Sequence, residues 1–229
     1  MTRFDLYTHV HKAVRALLFD AVEAVSRADF ERDFEVSAAL CAVRRTLRLL
    51  GSHARHEDEA IHPLLHRVAP DLGADLEAAH DKFDGLEREV EVLLARIESG
   101  HAAERVPLAR RLHEMLCGMT AEHLVHMGVE ETRSNRMLWA HFTDEELAAA
   151  QERIVSSVSP EEMSEWLEWM IPAGNWGERV DLMSEMRAAV PADVFAGLTS
   201  RARAMVGDRM WRELLAEADE RIARRAAAV

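Results

Sequence analysis

Residues 50–57 read Leu50-Gly51-Ser52-His53-Ala54-Arg55-His56-Glu57, and the spacing inside this stretch decides the fold. At about 100° per residue, three positions separate Leu50 from His53 and four separate His53 from Glu57, so the three side chains share one helix face. That face is apolar: Val36, Leu40 and Val43 lead into it at helical spacing, and Leu64 continues it. An imidazole and a carboxylate one turn apart therefore sit on the side of a helix that has to be buried.

Three more helices put a histidine on such a face, and one of them adds a carboxylate one turn on. The periodicity predicts helix over about 5–28, 31–68, 71–99 and 107–139, with Pro63 a kink or local ending in the second and Pro107 a favoured first-turn residue of the fourth. Gly100 closes the third. On the first, Phe4, Tyr7, Val14, Leu18, Val22 and Val25 form the stripe, and His11 falls between Tyr7 and Val14. On the third, His80 occupies the slot between Leu76 and Phe83, in a stripe that starts at Leu72 and continues through Val90, Leu94 and Ile97. On the fourth, His126 continues the series Leu108, Leu112, Met115, Met119, and Glu130 follows four residues later.

The expected fold is therefore all-α: a four-helix bundle over residues 1–140, with a further helical region over 141–229. His11, His53, Glu57, His80, His126 and Glu130 converge inside one core. Two carboxylates buried together need cations or a complete hydrogen-bond network. Four neutral imidazoles with two carboxylates able to bridge suit a pair of first-row metal ions.

The remaining histidines read differently. His9, His62, His66 and His113 fall away from the stripes, and His56 and His123 lie about 60° off them, as surface-edge residues or, in the alternative, as partners that support the ligands. Asp84 and Glu122, each one turn from a stripe histidine, are candidates for extra ligands or for acceptors that orient an imidazole. Tyr7, the single tyrosine, is either core packing or a hydrogen bond into the site. Glu-x-x-His also occurs twice, at Glu59–His62 and Glu77–His80, the motif of ferritin-like di-iron bundles. An outward His62 next to Pro63 argues against that arrangement.

Composition supports helices and excludes some partners. Apolar residues make up 48% of the 229, against 10 Gly and 6 Pro, which is helix-forming stock with few turn signals. The formal net charge of −13 would repel a phosphate backbone, so nucleic acid is not an expected partner. No apolar run reaches membrane-spanning length and the opening residues lack a secretory pattern, so no membrane is expected and a cytoplasmic location is. Cys41 and Cys117 are far apart without Cys-x-x-Cys spacing and read as small buried hydrophobes.

The stretches Leu-Tyr-Thr-His-Val-His-Lys around His11, His53-Ala-Arg-His-Glu57-Asp-Glu before Pro63, Ala-His80-Asp-Lys-Phe and His126-Met-Gly-Val-Glu130-Glu resemble the hemerythrin-like, or HHE cation-binding, family over about residues 5–139. The resemblance implies an up-and-down four-helix bundle with two non-haem iron ions under an oxo or hydroxo bridge. It also implies activities that include binding dioxygen, sensing oxygen or iron, and decomposing peroxide. Leu76 stands where the oxygen-carrier pattern has a second histidine on the third helix. Glu130, four residues after His126, replaces that pattern's aspartate at five. Fewer imidazoles leave more open positions on the metals, which favours redox chemistry on dioxygen or peroxide, or sensing, over reversible carriage.

Beyond Trp139 the helices shorten and their starts are explicit, as in Thr143-Asp144-Glu145-Glu146 and Ser159-Pro160-Glu161-Glu162, with breaks near 170–175 and at Pro191. Trp166, Trp169, Trp176 and Trp211 read as packing, with a partner-binding groove the alternative. Three functions follow as expectations: a di-iron protein reacting with dioxygen or peroxide, as a peroxide-decomposing oxidoreductase for instance; an iron or oxygen sensor signalling to a protein partner through the C-terminal helices; and a non-catalytic site filled by zinc or another ion.

Overall fold

The computed structural model describes residues 3–227, and among these the chain is all-helical, without strands. No described helix is long and apolar enough to cross a membrane. The elements are α1 (Thr8–Arg27), α2 (Asp33–Ala60), α3 (His62–Val68), α4 (Pro70–Ser99), α5 (Ala102–Val129), a π-helical turn (Glu130–Ser134), α6 (Asn135–His141), α7 (Asp144–Ser157), α8 (Pro160–Ala173), α9 (Trp176–Ala189), α10 (Ala192–Val206) and α11 (Asp208–Ala227). The chain divides into two compact units, one holding Val14–Ile154 with the residues up to Thr8, the other holding His9–Ala13 with Val155 onward.

In the first unit the apolar stripes do what their spacing demands. Leu72, Leu76, Phe83, Val90, Leu94 and Ile97 of α4 are all buried, as are Val36, Leu40, Val43 and Leu50 of α2. α4 packs along α5 and α2, and α3 packs on α2, α4 and α6. Thr46 of α2 donates its hydroxyl proton to the carbonyl of Leu17 in α1 at 3.3 Å, one of the few polar links inside this interior. α7 closes the unit with Leu147 and Ala150, which join Tyr7, Leu65 and Leu138 in one apolar cluster.

Several boundaries differ from the periodicity reading. Of the two readings of Pro63, the local ending is the one found: the second helical stretch ends at Ala60, and α3 restarts with Pro63 in its first turn, where a missing N–H is harmless. The fourth long helix starts at Ala102, not Pro107, because His101 and Glu104 form a reciprocal cap. Pro107 is then carried inside the helix. Gly100 does follow α4: a Cβ there would stand 3.0 Å from the carbonyl oxygen of Arg96. Cys41 and Cys117 are exposed, not buried, each on the solvent side of its amphipathic helix.

The second unit pairs α8 with α10 and α9 with α11. Its core is Leu167, Ile171, Val180, Met183, Phe195, Trp211 and Leu214. Ser159 accepts the Glu162 amide at 3.2 Å to start α8, and Asn175 and Glu178 form a capping box for α9. α8 continues through Pro172, so the break expected over 170–175 narrows to Gly174 and Asn175. Gly207, between α10 and α11, has φ +82°, the left-handed region that an L side chain adopts at a penalty. Trp166, Trp169 and Trp211 are buried, while Trp176 is partly exposed and donates Nε1–H to Glu217 at 2.6 Å.

Candidate metal centre

α2 brings His53 and Glu57 inward at one-turn spacing, α4 brings His80, and α5 brings His126, with Glu130 at the start of the π-helical turn. Two groups form. Glu57, His80, His126 and Glu130 are all buried, and one ligand atom from each lies within 4.8 Å of the others. His11 and His53 form the second group around the same Glu57, within the same distance. The structure thus brings all six sequence-derived residues into two sets joined through Glu57.

Glu57 is the hinge of the arrangement. Its Oε1 lies 3.3 Å from Nε2 of His53, and its Oε2 lies 3.6 Å from Nε2 of His80. Nε2 of His126 stands 3.2 Å from Oε1 of Glu130 and 3.0 Å from Nε2 of His80. Glu57 is 2% exposed and Glu130 0%, so both carboxylates are out of bulk water among imidazoles. Imidazole nitrogen and carboxylate oxygen without thiolate form a donor set that fits first-row ions such as iron or zinc, and the burial of two carboxylates favours positive charge between them.

Around these residues lie groups that the periodicity did not single out. Asp58 places Oδ1 2.8 Å from Nδ1 of His80 and 2.8 Å from Nδ1 of His62. Partial burial opposes its ionisation, but the hydrogen bonds from His62 and His80 prevail and hold its pKa far below the ordinary carboxylate range. Burial likewise works against protonating His80, yet the Asp58 hydrogen bond and the charge of Glu57 outweigh it and raise its pKa. His62 is fully buried, stacked on His80 with centroids 5.1 Å apart, and not turned outward. The break at Ile61 resets the helical phase, so a count carried through from α2 misplaces it. Glu59 and Glu77 are exposed, so the ferritin-like carboxylates are not delivered to this centre.

His56 and His123 are also buried, not at the surface edge. The ring of His123 stacks on Phe83 at 3.9 Å, with Nδ1–H donating to the Met119 carbonyl at 2.9 Å. Desolvation by its buried setting holds its pKa down at about 4, so it is neutral near pH 7. Asp84 is exposed, and Glu122 is taken by Lys82 at 2.6 Å; neither joins the ligand groups. Tyr7 is fully buried, and its phenol pKa is raised well above the usual value by desolvation and by the charges of Glu130 and Glu57. Its hydroxyl therefore keeps its proton beside the two carboxylates.

The π-helical turn has no signature in the sequence. It shifts the helical phase by one residue, and Glu130, Ser134, Asn135 and Leu138 are all buried. A groove of about 530 Å3 between α4 and α5 has His126 among its lining residues, with Leu76, Phe83 and Val125 on its walls. Compared with known proteins, the chain matches no family model and no curated sequence.

Proposed function

We propose that this chain is a hemerythrin-like four-helix-bundle protein that holds two iron ions and reacts with dioxygen or peroxide. α1, α2, α4 and α5 would be the four helices, and each carries an imidazole of the candidate centre. The observation that carries the reading is Glu57, whose two oxygens face different imidazoles and which belongs to both ligand groups. A carboxylate so placed is suited to span a pair of cations. His11 and His53 would complete one position, and His80, His126 and Glu130 the other.

Bound iron would supply the electrons and the Lewis acid for reaction with the small oxidant. The chain's own part is positional and electrostatic. Glu57 and Glu130, both buried, offset cationic charge where water screens it little. Asp58 holds the orientation of the His80 ring, leaving Nε2 directed at Glu57 and His126. Tyr7 keeps a proton available next to the carboxylates. The groove between α4 and α5 gives a small molecule a path to His126.

The test is elemental analysis of the purified protein, then reconstitution with ferrous iron under anaerobic conditions and addition of hydrogen peroxide or dioxygen. The expected result is two irons per chain and oxidation of the iron on mixing, with oxygen release from peroxide if turnover is catalytic. A fully loaded site inert to both oxidants would remove the redox reading. Zinc as the native ion would replace it with a structural one.

A further inference from the structure

The second unit has a cavity of about 390 Å3 among α9, α10 and α11, within the size range of small-molecule sites. Its apolar surface comes from Phe195 and Trp211, whose ring centroids stand 6.3 Å apart at 32°, together with Val190 and Leu215. Arg187 and Arg203 also line it, and among the described lining residues there is no carboxylate. In a chain with 41 acidic residues against 28 basic ones, a lining with cations alone is a selective feature.

Both arginines are anchored by carboxylates that do not line the cavity. Arg187 pairs with Asp219 at 3.1 Å and Arg203 with Asp208 at 2.7 Å, and the Arg187 guanidinium stands 5.7 Å over the Phe195 ring. A guanidinium carries five N–H donors and one carboxylate engages at most two in a fork, so donors remain for a second anion. Thr199 and Ser200 donate to the carbonyls of Phe195 and Gly197 at 2.8 and 3.0 Å. With the two hydroxyls so engaged, the charged side-chain donors available to a ligand are the two guanidinium groups, beside the indole N–H of Trp211.

We infer that this cavity binds a planar aromatic carboxylate, with its ring against Phe195 and Trp211 and its carboxylate on Arg187 and Arg203. A flat ring matches the two aromatic faces. A compact inorganic anion would leave the apolar walls uncovered, and a neutral ring would leave the guanidinium donors without an acceptor. The site is independent of the metal centre, and nothing in its argument uses iron.

The full chain is titrated by calorimetry with 2-naphthoate and, separately, with its neutral amide. The carboxylate binds and the amide binds at least tenfold more weakly. Arg203→Gln weakens naphthoate at least tenfold without loss of helical circular dichroism, and Ala196→Phe, which fills the cavity without touching a cation, abolishes binding. Absence of naphthoate binding at millimolar concentration, equal affinity for acid and amide, or wild-type binding by Ala196→Phe each overturns the assignment.

Discussion

His80 and His126 turn their Nε2 atoms toward one another at 3.0 Å across the α4–α5 interface. Nδ1 of His80 is engaged with Asp58 at 2.8 Å, so the neutral ring carries its proton on that nitrogen and its lone pair on Nε2. The proton between the rings then belongs to His126. A cation entering the site needs both lone pairs, so that proton has to leave. Loading the apo protein with ferrous or zinc ions should release at least one proton per chain, and affinity should be weaker at pH 6 than at pH 7.5. Calorimetry in two buffers of different ionisation enthalpy counts the protons, and a count of zero contradicts the arrangement.

Glu57 stands in both ligand groups and His11 in only one, which separates their substitutions by stoichiometry. His11→Ala should retain about one ion per chain, whereas Glu57→Ala should retain close to none. Glu57→Gln should also stabilise the apo protein by about 1–3 kcal/mol, because it removes a charge that is only 2% exposed while keeping the side chain's shape. Metal content by elemental analysis and thermal melts of the metal-free variants are the two readouts. Equal metal loss in His11→Ala and Glu57→Ala would mean that the two groups do not act as separable positions.

Asp58 sets the ring of His80 without itself belonging to the set around Glu57 and Glu130. Asp58→Asn keeps the volume and removes the charge that favours Nδ1–H on His80. Loss of such an orienting carboxylate commonly weakens metal binding by about 10–100-fold. A competition titration against a chelator of known affinity should show a loss in that range with unchanged stoichiometry. Unaltered affinity would reduce Asp58 to a surface carboxylate that happens to lie near two imidazoles.

That these imidazoles and carboxylates face inward was legible because burial and helical period coincide. His80 lies in a stripe running from Leu72 to Ile97, every apolar member of which is buried, so its direction follows from its neighbours. His62 was not legible: one non-helical residue, Ile61, changes the phase, and no count of angles passes through a break it does not foresee. Asp58 was missed for a related reason. Its Cβ lies beside the stripe, and only a neighbouring helix reveals that its carboxylate reaches His80. The start of α5 was misread because His101 is an uncommon cap beside a proline that is a common one. Cys41 and Cys117 show the limit of residue-type averages, since cysteine is usually buried and these two sit on the polar faces of their helices.

Glu87 of α4 lies two turns beyond His80, with Oε2 3.7 Å from the position a side chain at Gly51 of α2 would take. Burial, reinforced by Asp84 and Glu91 and only partly relieved by His80, raises its pKa from 4.5 to about 7. The folded state therefore holds this proton more tightly than the unfolded chain does. Between about pH 4.5 and 7 the folded form binds more protons, so the group's contribution to stability is full below that window and is lost as pH rises through it. A rise of this size corresponds to a ceiling of about 3 kcal/mol, and less where water reaches the carboxylate. Glu87→Gln cannot titrate, so its stability relative to the parent should grow from pH 5 to pH 7.5 in the metal-free protein, as read by urea melts at each pH. A constant difference between the two chains across that range would show that Glu87 is solvated like any surface carboxylate.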